Sequence, residues 1–203
     1  MSRQLKDPAF KAIARVGKAL GHAHRLELLH LLEQSPRDVD ALARGTARSI
    51  ASTSQHLQIL SRANLVDRER RGTHIVYSLA DGVRQLLSVV ESAAMLRDPA
   101  LRVLQESWLH DHPTVELISE EDLRLGINEG SVMLLDVRPP EEYAYGHLRD
   151  ALSIPLPELR DRMTELPRDQ VIVAVCRGRW CTWADEAVDQ LRMAGFSARR
   201  LDG

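Results

Sequence analysis

Cysteine is almost absent from this chain: two residues, Cys176 and Cys181, among 203. So few exclude a disulfide scaffold and leave the thiols as either ordinary core residues or chemistry. Also missing is any apolar run approaching the ~20 residues needed to cross a bilayer. The stretch MSRQLKDPAFKAIARVGKAL has no apolar core of the kind a secretory signal carries. A cytoplasmic protein is therefore expected, with no membrane partner and with thiols normally reduced. No internal repeat or low-complexity tract is present. At 44% hydrophobic and 28% charged, the composition is that of a globular protein.

Net charge is only −2, and that small value hides an asymmetry. Residues 1–112 carry 16 Lys and Arg against 12 Asp and Glu, whereas residues 113–203 carry 11 against 17. A basic front and an acidic back predict two domains with different partners. HDHPT, from His110 to Thr114, reads as the linker, giving a first domain over 1–110 and a second over 114–203.

The front half reads as helices and a hairpin. Asp7-Pro8 fits a cap followed by proline at the first helical position, with Phe10, Ile13, Val16 and Leu20 at helical spacing behind it. A second helix runs from about His24 to Glu33, and VDALARG is a short one. A third begins after Ser49. The β-prone stretches around Arg71-Gly72 predict a hairpin. Asp81 and Asp98-Pro99 each start a further helix. This order is that of a winged helix-turn-helix. On the helix after Ser49, Ile50, Thr53, Leu57 and Leu60 face inward at 100° per residue. Ser52, Gln55, His56 and Arg62 face outward, where small and amide-like groups can meet base edges. Arg48 flanks them, and Arg68, Arg70 and Arg71 on the hairpin suit phosphates.

The segment from KALGHAHRLELLHLLEQ to the SLA after the hairpin, within residues 8–97, resembles the ArsR/SmtB family of winged-helix repressors. The match rests on Arg25-Leu26-x-Leu28-Leu29, on Ser49-x₂-Ser52-x-Ser54-x-His56-Leu57, and on the wing. The resemblance implies a homodimer formed by the first helix and the long helix after the wing. It also implies double-stranded DNA carrying an inverted repeat as the partner, and a small signal that causes release. The cysteine pair by which many members bind metal is missing from VDALARG, and residues 82–106 hold no histidine. No metal and no cofactor is therefore expected.

The back half alternates strands with helices, which predicts an α/β domain whose mainly parallel sheet is covered on both faces. One strand, QVIVAVC, ends at Cys176, and a helix starts near Thr182. Ligands bind at the carboxyl ends of such strands. The following helix turns free N–H groups toward the loop Cys176, Arg177, Gly178, Arg179, Trp180, Cys181. Together with the two arginines this predicts a lowered pKa at Cys176.

LLDVRPPEEYAYGHLRDALSIPLPEL, followed by VAVCRGRWC, resembles the rhodanese signature and its active-site loop, over residues 115–203. By that resemblance Cys176 carries a persulfide and residues 177–181 form its cradle, while Asp136, Arg138, Glu142 and His147 hold the scaffold. Rhodanese domains usually continue beyond the point matched by Gly203. A six-residue loop implies sulfur rather than a tetrahedral oxyanion. Cys181 is a departure from simple rhodaneses, and its attack on a Cys176 persulfide would leave a disulfide. The expectation is a transcriptional repressor that senses sulfane sulfur, or the redox state of a thiol partner, through Cys176 and Cys181. The alternative is a sulfurtransferase, or less readily an oxyanion reductase, whose helical half serves dimerisation or targeting.

Overall fold

A computed structural model describes residues 3–111 and 115–201. The chain divides into two compact units, Met1–Ala94 and Met95–Gly203.

In the first unit α1 (Arg3–Leu20) and α2 (Ala23–Gln34) precede a two-residue strand β1 (Arg37–Asp38), then α3 (Val39–Gly45) and α4 (Ile50–Arg62). The wing follows as β2 (Val66–Arg71) and β3 (His74–Leu79), and α5 (Val83–Arg97) closes the series. The three strands form an antiparallel sheet in the order β1-β3-β2. Helix starts are fixed by side-chain caps: Asp38 accepts from the Ala41 N–H at 2.8 Å, and Ser49 from the Ser52 N–H at 3.3 Å. The wing turns at Gly72, whose φ of 63° suits a residue without Cβ. The core is leucine-rich: Leu28, Leu29, Leu32, Leu42, Leu57 and Leu60 are fully buried. Because α2 is packed on more than one side, Leu28, Leu29, Leu31 and Leu32 all lie in the interior, with Leu26 partly buried against them.

Two expectations change here. α1 starts at Arg3, so Pro8 lies inside it rather than at its head, at the cost of the backbone bond its missing N–H would make. Phe10 on the same helix is 65% exposed. Ile50 is 53% exposed, because the first turn of α4 projects past the core that Thr53, Leu57 and Leu60 enter.

The break between units falls after Ala94, near the end of α5, so α6 (Pro99–Asp111) lies in the second unit and the break comes ahead of the His110–Thr114 stretch. That stretch lies largely outside the described residues. Next come β4 (Leu117–Ile118), α7 (Glu120–Asn128), β5 (Val132–Asp136), α8 (Pro140–Tyr145) and β6 (Leu152–Ser153). After them are α9 (Leu159–Arg162), β7 (Val171–Val175), α10 (Trp183–Met193) and β8 (Ala198–Leu201). The helix expected over LPELRDRMTEL is reduced to α9 between two 3-10 turns, Leu156–Glu158 and Met163–Glu165. Five strands pair in parallel in the order β4-β8-β7-β5-β6. Alternation along β7 explains its all-apolar sequence. Ile172 and Ala174 meet Ala187, Val188 and Leu191 on one face, while Val173 and Val175 meet Leu123 and Leu134 on the other. This layering delivers Cys176 to the carboxyl edge of a central strand.

Candidate functional site

Two sets of residues bear on function. On the first unit, Arg48, Gln55 and Arg62 are exposed along or beside α4, and Arg68, Arg70 and Arg71 are exposed on the wing. Arg70 donates to the Gly72 carbonyl at 3.2 Å, and Arg71 pairs with Glu69 at 2.8 Å; both contacts are solvent-exposed. Ser52 is half-buried. His56 departs from the expected outward face. It is half-buried, its ring lies 4.4 Å from His22 and 4.7 Å from His24, and its Nδ1 is 3.4 Å from Arg25 Nη1. Burial, then the charges of His22, His24 and Arg25, hold the His56 pKa below the ordinary histidine value. Burial, then Arg48 and His22, does the same for His24. His24 Nε2 lies 3.2 Å from Thr46 Oγ1, and His30 Nδ1 lies 3.1 Å from Glu33. Among the described residues the one three-residue group with metal-ligand spacing is Asp38, Asp40 and His74. Asp38 in that group already caps α3.

The second set is the thiol loop. From Cys176 the chain turns back on itself through Gly178, with φ 97°. The Cys181 N–H donates to the Gly178 carbonyl at 3.1 Å, and the Cys176 thiol donates to the Cys181 carbonyl at 3.4 Å. Arg177 is anchored to Glu142 by Nε at 3.1 and 3.0 Å and by Nη2 at 2.5 Å. Its guanidinium also lies 4.1 Å from the centre of the Trp183 ring. Glu142 is 0% exposed, so this is a buried ion pair. Arg200, on β8, donates Nη2 to the carbonyls of Arg179 at 2.7 Å and Gly178 at 3.3 Å. Its Nη1 is held by Asp185 at 2.9 and 3.0 Å. Arg179 reaches Gln105, and Trp180 is 41% exposed at the rim. Arg138 binds Asp136 at 2.6 Å and the Gly146 carbonyl at 2.8 Å, and His147 stacks on Tyr143 at 3.8 Å.

The charge falls differently from expectation. The neighbouring Cys181 thiol, with burial, raises the Cys176 pKa. The neighbouring Cys176 thiol outweighs burial at Cys181 and, with the Arg177 and Trp183 N–H groups and the Arg177 charge, lowers its pKa to about 6. The first negative charge thus settles on Cys181, and the proton it leaves behind belongs to the pair. Arg200 and Asp185 were missed by sequence reasoning. Both sit in ordinary amphipathic stretches, and only the strand order brings β8 beside β7.

A winged helix-turn-helix unit joined to an α/β unit with a thiol loop at a strand end defines a two-part regulator class. Residues 23–68 match the bacterial regulatory protein, arsR family, and residues 119–203 match the rhodanese-like domain. The chain is 39% identical over 193 residues to the HTH-type transcriptional regulator Rv0324 of Mycobacterium tuberculosis, covering 94% of this chain and 84% of that protein. A sulfurtransferase of Allochromatium vinosum is 44% identical over 46 residues, 23% of this chain and 43% of its own length. The homodimeric winged helix-turn-helix domain, fragment 1–100, of a possible ArsR-family regulator from Mycobacterium bovis is 36% identical. It covers 46% of this chain and 87% of its own, with a TM-score of 0.44. The chain belongs to the ArsR family, as a DNA-binding transcriptional regulator with a C-terminal rhodanese-like domain. No helix among the described residues is long and apolar enough to cross a membrane.

Proposed function

We propose that this regulator binds an inverted-repeat operator as a cytoplasmic homodimer, and that sulfane sulfur arriving at Cys176 and Cys181 changes its affinity for DNA. The observation that carries the sulfur part is the thiol pair itself: the only two cysteines of the chain lie on one curled loop, where the Cys176 thiol donates to the Cys181 carbonyl at 3.4 Å. The exposed Leu5, Phe10 and Ile13 of α1 and Val89 of α5 support a second copy as their cover. The reading surface is Arg48, Ser52, Gln55 and Arg62 with Arg68, Arg70 and Arg71, and His56 serves it from beneath.

The chemistry uses both thiols. A Cys176 thiolate, reached by passing the shared proton to Cys181, attacks the sulfane sulfur of a polysulfide. The donor S–S bond breaks, the donor leaves as a chain one sulfur shorter, and Cys176 carries a persulfide. Cys181, deprotonated in turn, attacks the Cys176 Sγ. Hydrosulfide leaves and a disulfide remains, so two thiols are oxidised while one sulfane sulfur is reduced.

Mass analysis of the full chain after polysulfide tests this. One added sulfur, or loss of two hydrogens, is expected in the wild type. Cys181→Ser should stop at the persulfide and Cys176→Ser should take up nothing. Sustained turnover of thiosulfate, with DNA binding indifferent to the sulfur donor, would instead favour the sulfurtransferase reading that the rhodanese-like match keeps open.

A further inference from the structure

We infer that α6, which precedes the rhodanese-like match, is part of the thiol site, and that Gln105 and Trp108 are positioning residues for the loop carrying Cys176 and Cys181. The inference rests on reading that loop as a reactive-thiol site. Gln105 and Trp108 stand three residues apart and therefore share one face of α6. Gln105 Oε1 accepts from Arg179 Nη1 at 3.0 Å. Trp108 Nε1 donates to Asp185 Oδ2 at 3.1 Å. Asp185 is 1% exposed, and the same carboxylate holds Arg200, whose other nitrogen grips the Gly178 and Arg179 carbonyls. One helix face thus holds the loop twice, once through a loop side chain and once through the group that fixes the loop backbone.

That backbone sets the thiol geometry. The Gly178 carbonyl accepts from the Cys181 N–H, and the Cys181 carbonyl from the Cys176 thiol. A shift of Arg200 or Arg179 therefore moves the two sulfurs relative to each other. The dependence is reciprocal: whatever changes the loop changes the hold on α6 by the same free energy. α6 follows α5 after Asp98, which caps it by accepting from the Ala100 N–H at 2.9 Å.

The test uses the full chain without DNA or sulfur donor, and iodoacetamide as the probe. Alkylation forms a carbon–sulfur bond at a thiolate, iodide leaves, and the thiol proton goes to solvent. Rates at each cysteine are followed against pH in wild type, Gln105→Ala and Trp108→Phe. The variants should raise the midpoint of the more acidic thiol by about half a pH unit or more, since a loosened loop moves the thiolate away from the N–H groups and charge that favour it. In the reverse direction, alkylating the wild type should speed backbone amide exchange in residues 99–108 about threefold or more. Gln105→Glu keeps an acceptor for Arg179 and should retain wild-type exchange in α6. Unchanged midpoints in variants with wild-type circular dichroism, or amide exchange in α6 indifferent to alkylation, would overturn the inference while leaving the thiol site standing. Wild-type thiols that titrate in the ordinary range would overturn the site reading and this inference with it.

Discussion

Glu142→Gln is the sharpest structural perturbation of the thiol loop. The wild-type carboxylate is fully buried and takes three donations from Arg177, whose side chain is itself 18% exposed. Gln keeps the shape but has one acceptor oxygen. Its NH₂ group then faces a guanidinium that has only donors to offer. One arm of the bidentate pair is lost and the Arg177 charge is left without its partner. Removing one member of a buried pair costs about 3–5 kcal/mol, and the retained oxygen together with partial solvent access to Arg177 reduces this to about 2–3 kcal/mol. For a unit of this size the melting temperature should fall by roughly 8–15 °C. All three tryptophans, Trp108, Trp180 and Trp183, belong to the second unit, so urea unfolding read by tryptophan fluorescence reports on that unit alone. The double change Glu142→Leu with Arg177→Met should recover at least half of the loss, because an apolar pair replaces a buried ionic one at little cost. A Glu142→Gln midpoint within about 0.5 kcal/mol of wild type, at unchanged denaturant slope, would refute the reasoning.

Other outcomes follow from the same geometry. Arg70→Ala should weaken DNA binding across sequences and reduce the log–log salt slope by about one unit, whereas Gln55→Ala should relax base preference; anisotropy titrations at several salt concentrations separate the two. Thiol alkylation should rise through a midpoint near pH 6 at Cys181, with Cys176 the slower residue, as mass analysis of the two peptides after timed quenching would show. His24 and His56 have folded-state pKa values below the ordinary 6.5, so the unfolded chain takes up protons first as pH falls. The first unit should therefore hold its stability above about pH 6.5 and lose it progressively below. Amide exchange in α4 measures this, and His56→Gln should flatten the dependence.

Much of this was legible in the sequence because it depends on local rules. Ser49 marked the start of α4, and the unbroken apolar run QVIVAVC identified β7 as a strand covered on both faces. The strand-to-helix loop placed both cysteines at the carboxyl edge of the sheet. What failed depends on tertiary neighbours. Helical spacing cannot tell that Phe10 and Ile50 lie beyond the edge of the core, or that His56 turns toward His22 and His24 rather than outward. Nor does a helical stripe reveal that Gln105 touches the thiol loop, and Trp108 the helix after it, more than 70 residues later. The inversion of the thiol charges has the same origin. Loop chemistry predicts a thiolate, but only the curl through Gly178 decides which sulfur the Arg177 and Trp183 N–H groups favour.

The most direct measurement is the operator affinity of the full chain before and after polysulfide, in wild type and in Cys176→Ser. The operator can be selected from random duplexes and the affinity read by fluorescence anisotropy at fixed salt. The account predicts that sulfur treatment changes the wild-type dissociation constant by 5-fold or more, within the roughly 5–150-fold span of a coupling of about 1–3 kcal/mol. It predicts that Cys176→Ser binds the untreated operator like wild type and does not respond to polysulfide. An unchanged wild-type affinity after complete sulfuration, or an equal response in Cys176→Ser, would contradict it.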